Sequence, residues 1–116
     1  MGGTPGTRLK LKAQVMAGDE IAFGPGKADL LDAIDAAGSI SGAARAMGLS
    51  YRRAWLMVDA MNRLFREPLV ATAQGARGGA TVTGEGQAVL ARYRALQADL
   101  ASAAESTGAE LLTRLR

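Results

Sequence analysis

Neither cysteine nor histidine occurs among the 116 residues, so a disulfide framework, a thiolate metal site and histidine-based acid–base catalysis are excluded. Hydrophobic residues make up 48% of a chain whose length fits one domain with an added helix, enough to build a core. The net charge is only +3, but Arg45, Arg52, Arg53, Arg63 and Arg66 stand between Ser39 and Arg66 against Asp59 alone, and the remainder is close to neutral. No apolar run approaches membrane-spanning length and the start lacks a signal-peptide core, so the expectation is a cytoplasmic protein that is not an enzyme, with no membrane contact, cofactor or metal.

Residues 1–7, rich in glycine and proline, read as a loose tail. From Arg8 to Val15 polar and apolar residues alternate, which places Leu9, Leu11, Ala13 and Val15 on one face of a half-buried strand. Gly18-Asp19 reads as a turn and Ile21–Phe23 as the returning strand of a hairpin. The basic face of Arg8, Lys10 and Lys12 is read as solvated. Gly24-Pro25-Gly26 breaks the chain, and Lys27–Ala37 follows as a helix with Leu30, Leu31 and Ile34 inward and Asp29, Asp32 and Asp35 outward. Gly38 ends it.

The next stretch carries the positive charge. Ser41 is expected to cap a short helix whose small apolar face is Ala43, Ala44 and Met47. Gly48 suits a left-handed helix end, Leu49 turns inward and Ser50 caps a longer helix. On that helix Ala54, Trp55, Val58, Met61, Leu64 and Phe65 recur at helical spacing as a buried face, with Arg52 and Arg53 off it at the N-terminal end. Short helix, glycine turn and longer helix make a DNA-binding helix-turn-helix, whose second helix sets its first residues against base edges and phosphates. The same residues also permit a plain helical hairpin with solvated arginines.

Pro68 turns the chain. Leu69–Ala73 and Ala80–Thr83 read as two strands joined by the connector 74–79, the wing of a winged helix-turn-helix, with Arg77 at its tip facing either a phosphate or solvent. Thr83 can cap a long helix beginning at Gly84, on which Val89, Tyr93, Leu96, Leu100 and Ala103 follow 4-3-4-3 spacing. So narrow a stripe suits a partner helix, although packing against its own domain uses the same spacing. Thr107-Gly108 is expected to interrupt this helix. Ala109–Arg116 then forms a last short one with Leu111, Leu112 and Leu115 on its apolar side.

With these pieces in place, the chain resembles the N-terminal DNA-binding domain of the ModE family of molybdate-responsive transcription regulators, and more distantly the helix-turn-helix of LysR-type regulators. The resemblance rests on Gly38-Ser39-Ile40-Ser41, Ala43-Ala44, the run Met47 to Trp55, Val58-Asp59, Met61-Asn62 and Pro68-Leu69-Val70, with Gly78-Gly79-Ala80 and Thr83-Gly84-Glu85-Gly86 at the wing and the following helix. It covers about Leu9 to Leu100. It implies a mostly helical fold with a small β wing: a tail over 1–7, a winged helix-turn-helix over 8–83 and a helical dimerisation segment over 84–116. It also implies a homodimer on operator DNA, using the recognition helix 50–65 and the wing 69–83. Candidate DNA contacts are Ser39, Ser41, Ser50, Tyr51, Arg52, Arg53 and Arg77; candidate dimer contacts are Val89, Tyr93, Leu96 and Leu100. Full-length members continue into paired molybdate-sensing domains. This sequence ends at Arg116, so the expectation is a molybdenum-related regulator without them, and no oxyanion site is evident. Two other readings stay open. One is a molybdate- or tungstate-binding protein that uses the Gly78-Gly79 amides and the helix starts at Ser41 and Ser50. The other is a winged-helix adaptor for proteins.

Overall fold

The computed structural model describes residues 6–73 and 78–116, so Arg77 lies outside the described residues. The chain is mostly helical, with two small antiparallel sheets, an arrangement compatible with a winged helix.

The opening hairpin is shorter than the alternation suggests. Strand β1 spans Val15–Ala17 and pairs antiparallel with β2, Glu20–Phe23, around Gly18 at φ 62°. Residues 8–14 form no strand. They lie instead beside the C-terminal helices: Leu9 approaches Gly108, and the Ala13 carbonyl accepts a hydrogen bond from the Tyr93 hydroxyl at 2.8 Å. Alternation records which side chains share a side and not what covers that side. Leu9, Leu11 and Val15 remain exposed and only Ala13 is half-buried.

Helix α1 spans Pro25–Ala37, two residues earlier than expected, because Pro25 sits at the first helical position, where its missing N–H costs nothing. Leu30, Leu31 and Ile34 are fully buried, and Gly38 ends the helix at φ 73°. Helix α2 spans Ile40–Met47. Its cap is Ser39, whose hydroxyl oxygen accepts from the Gly42 N–H at 2.9 Å; the expectation for Ser41 is corrected. Burying Ile40 starts the helix two residues earlier than a cap at Ser41 would, and Ser39 then has the extended backbone a cap needs. The end is the paired Schellman closure, with Leu49 N–H on Ala44 O at 2.9 Å and Gly48 N–H on Arg45 O at 3.2 Å.

Helix α3 spans Tyr51–Leu64, capped by Ser50 through the Arg53 N–H at 3.0 Å. Ala54, Val58 and Met61 are buried, while Leu64 and Phe65 are half-buried. Asn62 then fastens the following segment: its Oδ1 accepts from Leu69 N–H at 2.9 Å and Val70 N–H at 3.1 Å, and its Nδ2 donates to Val70 O at 3.0 Å. Strands β3, Val70–Thr72, and β4, Ala80–Val82, pair antiparallel with Ala71 opposite Thr81. Ala80 N–H also donates to Gly38 O at 2.9 Å, which ties this sheet to the end of α1.

Helix α4 spans Gly84–Ala103 and is capped by Thr83, which accepts from Gly86 N–H and donates to Pro68 O. Gly86 is required there: a β-carbon would collide with the Leu69 carbonyl oxygen. The break after α4 falls at Ala104, not at Thr107-Gly108, and α5 spans Glu105–Leu112 rather than 109–116. Gly108 is buried inside α5, where its lack of a side chain admits Leu9. The aspartates of α1 are exposed, yet they face α4. Arg94 bridges Asp29 at 3.0 Å and Asp32 at 2.7 Å, and Gln87 donates to Asp35 at 3.1 Å. The core centres on Phe23, which meets Phe65 and Tyr93 edge to face at 6.0 and 5.1 Å between ring centres.

Candidate nucleic-acid interface

The glycine turn at Gly48 and the cap at Ser50 fix where α3 begins, and so which side chains lead it. With Ala54, Val58 and Met61 directed inward, a step of about 100° per residue leaves positions 52, 56 and 59 on the opposite side and 55 on the flank, while position 51 stays exposed at the open end of the helix. Tyr51, Arg52 and Arg53 are exposed at the leading end, and Ser50 is exposed beside them. Capping uses an oxygen lone pair of Ser50 and not its hydroxyl proton, which leaves that group competent to donate to a phosphate.

Trp55 does not follow the expected inward phase. It is 37% exposed, and its indole lies edge to face with Tyr51 at 6.2 Å. Ala54 and Trp55 are neighbours on the chain and only one can point at α2. Ala54 is buried in the same core as Ala43 and Ala44 of α2, where an indole would demand far more room than a methyl group.

Electrostatics concentrate the same region. No acidic residue occurs between Asp35 and Asp59, a span that contains Arg45, Arg52 and Arg53, all exposed. Lys27 adds to it from α1. Its Nζ donates to Ile21 O at 3.0 Å, and its pKa is lowered, first by burial and also by the like charge of Arg53, against the attraction of Glu20. That Arg53 is felt at Lys27 depends on how α1 lies against α3, which spacing along the chain does not give. Arg63, by contrast, is paired with Glu20 in two hydrogen bonds that hold the Glu20 carboxyl below its ordinary range. It therefore offers little free charge.

The remaining candidates lie apart from this group. Ser39 is half-buried and engaged as the α2 cap, whereas Ser41 is exposed. At the starts of α2, α3 and α4 one amide is already held by the capping hydroxyl, which reduces what these ends offer a free oxyanion. The α4 stripe is divided. Tyr93 is 4% exposed and turns into its own core, where burial raises its pKa. Val89 is half-buried, and Leu96 and Leu100 are exposed at 41% and 38%. A largely apolar groove of about 330 Å³ opens beside them, lined by Val15, Phe23, Phe65, Val89 and Leu96, with Glu85 and Arg92 at its edge. Among the described residues no helix is long and apolar enough to cross a membrane.

No protein-family model matches the chain. Curated relatives do. The chain is 49% identical over 76 residues to the molybdenum-pterin-binding protein MopA of Rhodobacter capsulatus, covering 64% of this chain and 29% of that protein. It is 46% identical over 76 residues to the molybdenum transport protein ModE of Azotobacter vinelandii, covering 64% and 28%. It is 39% identical over 85 residues to the DNA-binding transcriptional dual regulator ModE of Escherichia coli, strain K12, covering 73% and 28%. The chain thus spans less than a third of the length of these relatives.

Proposed function

The chain belongs to the ModE family, and from that premise we propose that it is a DNA-binding transcriptional regulator of molybdenum-related genes, acting in the cytoplasm as a winged helix-turn-helix homodimer without catalytic activity. The observation that carries this reading is the leading end of α3, where Arg52 and Arg53 stand exposed in a stretch free of carboxylates. Arg52, on the side opposite the buried face, suits bidentate pairing with a guanine edge. Arg53, on the flank, suits the phosphate backbone. The DNA-binding transcriptional dual regulator ModE of Escherichia coli supplies the DNA-binding precedent, and the molybdenum-pterin-binding and molybdenum transport relatives supply molybdenum.

The wing of β3 and β4, with the exposed hydroxyls of Ser41 and Ser50, supplies further backbone contacts in this reading. Arg77 belongs to the connector of that wing. Two copies meet through the outer side of α4, where Val89, Leu96 and Leu100 remain uncovered in part and Tyr93 backs them from the core. Two recognition helices about one helical turn apart read a palindrome, and their linkage raises affinity above that of either alone.

The test is a salt-titrated binding experiment on duplex DNA with the chain at defined oligomeric state. The expected result is binding that falls steeply with salt, with a slope reporting several displaced counterions, and a tighter, sequence-selective mode on a subset of duplexes. Binding that is absent at low salt, or weak and equal on all duplexes, contradicts the proposal.

A further inference from the structure

The outer side of α3 carries more than arginine. Tyr51 and Leu56 are 56% and 54% exposed, and Trp55 lies between them. Spacing of four places Tyr51 under Trp55 and Arg52 under Leu56, so the two pairs form one patch over the first two turns. Large apolar side chains gathered outward on a helix whose inner face is already packed need a partner. The charge around the patch selects which one. Arg52 and Arg53 stand exposed on the same helix and Arg45 is exposed on α2, with no carboxylate between Asp35 and Asp59, which follows one turn after Trp55. Such a surround suits a polyanion and disfavours a second basic surface.

We propose that Tyr51, Trp55 and Leu56 form an apolar reading element beside Arg52 that selects duplex DNA presenting thymine 5-methyl groups in the major groove. This rests on the DNA-binding reading above and adds a base class to it. The thymine methyl is the one apolar group on the major-groove edges of the bases, and a side chain without hydrogen-bonding groups distinguishes it from cytosine by contact alone. Leu56 meets this requirement directly. Trp55 and Tyr51, held edge to face, present a rigid surface that loses little conformational freedom on binding.

The experiment begins with selection of duplexes from a random pool by the full chain. In the enriched duplex each thymine is then replaced by uracil, which removes the methyl group and nothing else. One or more replacements are expected to weaken binding about three- to fourfold, the worth of one desolvated methyl group. That loss is expected to shrink in Trp55→Ala or Leu56→Ala, each of which binds the unmodified duplex roughly tenfold more weakly. Trp55 is the sole tryptophan, so its fluorescence should change when the enriched duplex is added. Enriched duplexes whose binding ignores both uracil and the two substitutions, with unchanged fluorescence, overturn the inference while leaving DNA binding intact. Failure to enrich any sequence overturns both. Circular dichroism melting separates a lost contact from a lost fold, and Leu56→Ala preserves the test if Trp55→Ala does not fold.

Discussion

Helices α3 and α4 carry apolar stripes that look alike in the sequence and are used in opposite ways. In α3 the large aromatic, Trp55, turns outward beside Tyr51, and the small Ala54 takes the inward position. In α4 the aromatic, Tyr93, turns inward onto Phe23, and the leucines of the stripe, Leu96 and Leu100, are left at the surface. The difference follows from what each helix meets. Helix α3 packs on α2, and the small Ala43, Ala44 and Ala54 are buried in the core they share. Helix α4 packs on α1, and its Tyr93 ring lies edge to face on Phe23 of the hairpin while its hydroxyl donates to the Ala13 carbonyl. Apolar spacing fixes a face, and the size of the neighbouring side chains decides which residue stands at its centre.

Substitutions that delete one ring from each helix break this contrast most sharply. Tyr93→Ala removes a buried aromatic and is expected to destabilise the fold by about 3–5 kcal/mol in chemical denaturation. Asn62→Ala leaves the amides of Leu69 and Val70 without their side-chain acceptor and should cost about 2–3 kcal/mol, read by the same measurement, while circular dichroism retains the helical signal. Trp55→Ala, in contrast, should cost less, about 1–2 kcal/mol, since the indole is 37% exposed rather than enclosed. A loss comparable to that of Tyr93→Ala would return Trp55 to the core. Leu96→Glu should leave the melting temperature nearly unchanged and yield a monomer by light scattering, because a charge at an apolar seam would face its own copy. A dimer that persists would place the seam away from α4.

The smallest effect concerns Glu20 and Arg63, which join the hairpin to the end of α3. Arg63 lowers the Glu20 pKa, so the pair's contribution is complete above the carboxyl's unfolded pKa and is lost as pH falls through the depressed folded value. Both side chains are about half exposed, so Glu20→Gln should flatten acid unfolding only slightly. A marked change would indicate a larger role for the hairpin junction.

Much of the fold was legible because local chemistry dictates it. Gly38 and Gly48 end helices in left-handed conformations, Ser50 and Thr83 cap them, and Leu30, Leu31 and Ile34 face inward as their spacing requires. The errors arose where tertiary contact chooses among local options. Ser39 and Ser41 are chemically equal caps until Ile40 is buried. The alternating run from Arg8 to Val15 has a sided pattern but no long strand to pair with, and it follows helices instead. Gly108 reads as a breaker but provides room for Leu9 within α5. For the candidate interface, the exposed arginines at 52 and 53 were evident from charge and phase. The outward Trp55 required the crossing of helices.

The central claim is that the leading end of α3 reads DNA, and Arg52→Ala addresses it most directly. Affinity of the folded variant is measured on an enriched duplex and on duplexes altered one base pair at a time. The account predicts a loss of about 1–3 kcal/mol on the enriched duplex and a relaxed preference at one position, with other positions still discriminated. Unchanged affinity and unchanged selectivity in that variant would contradict it.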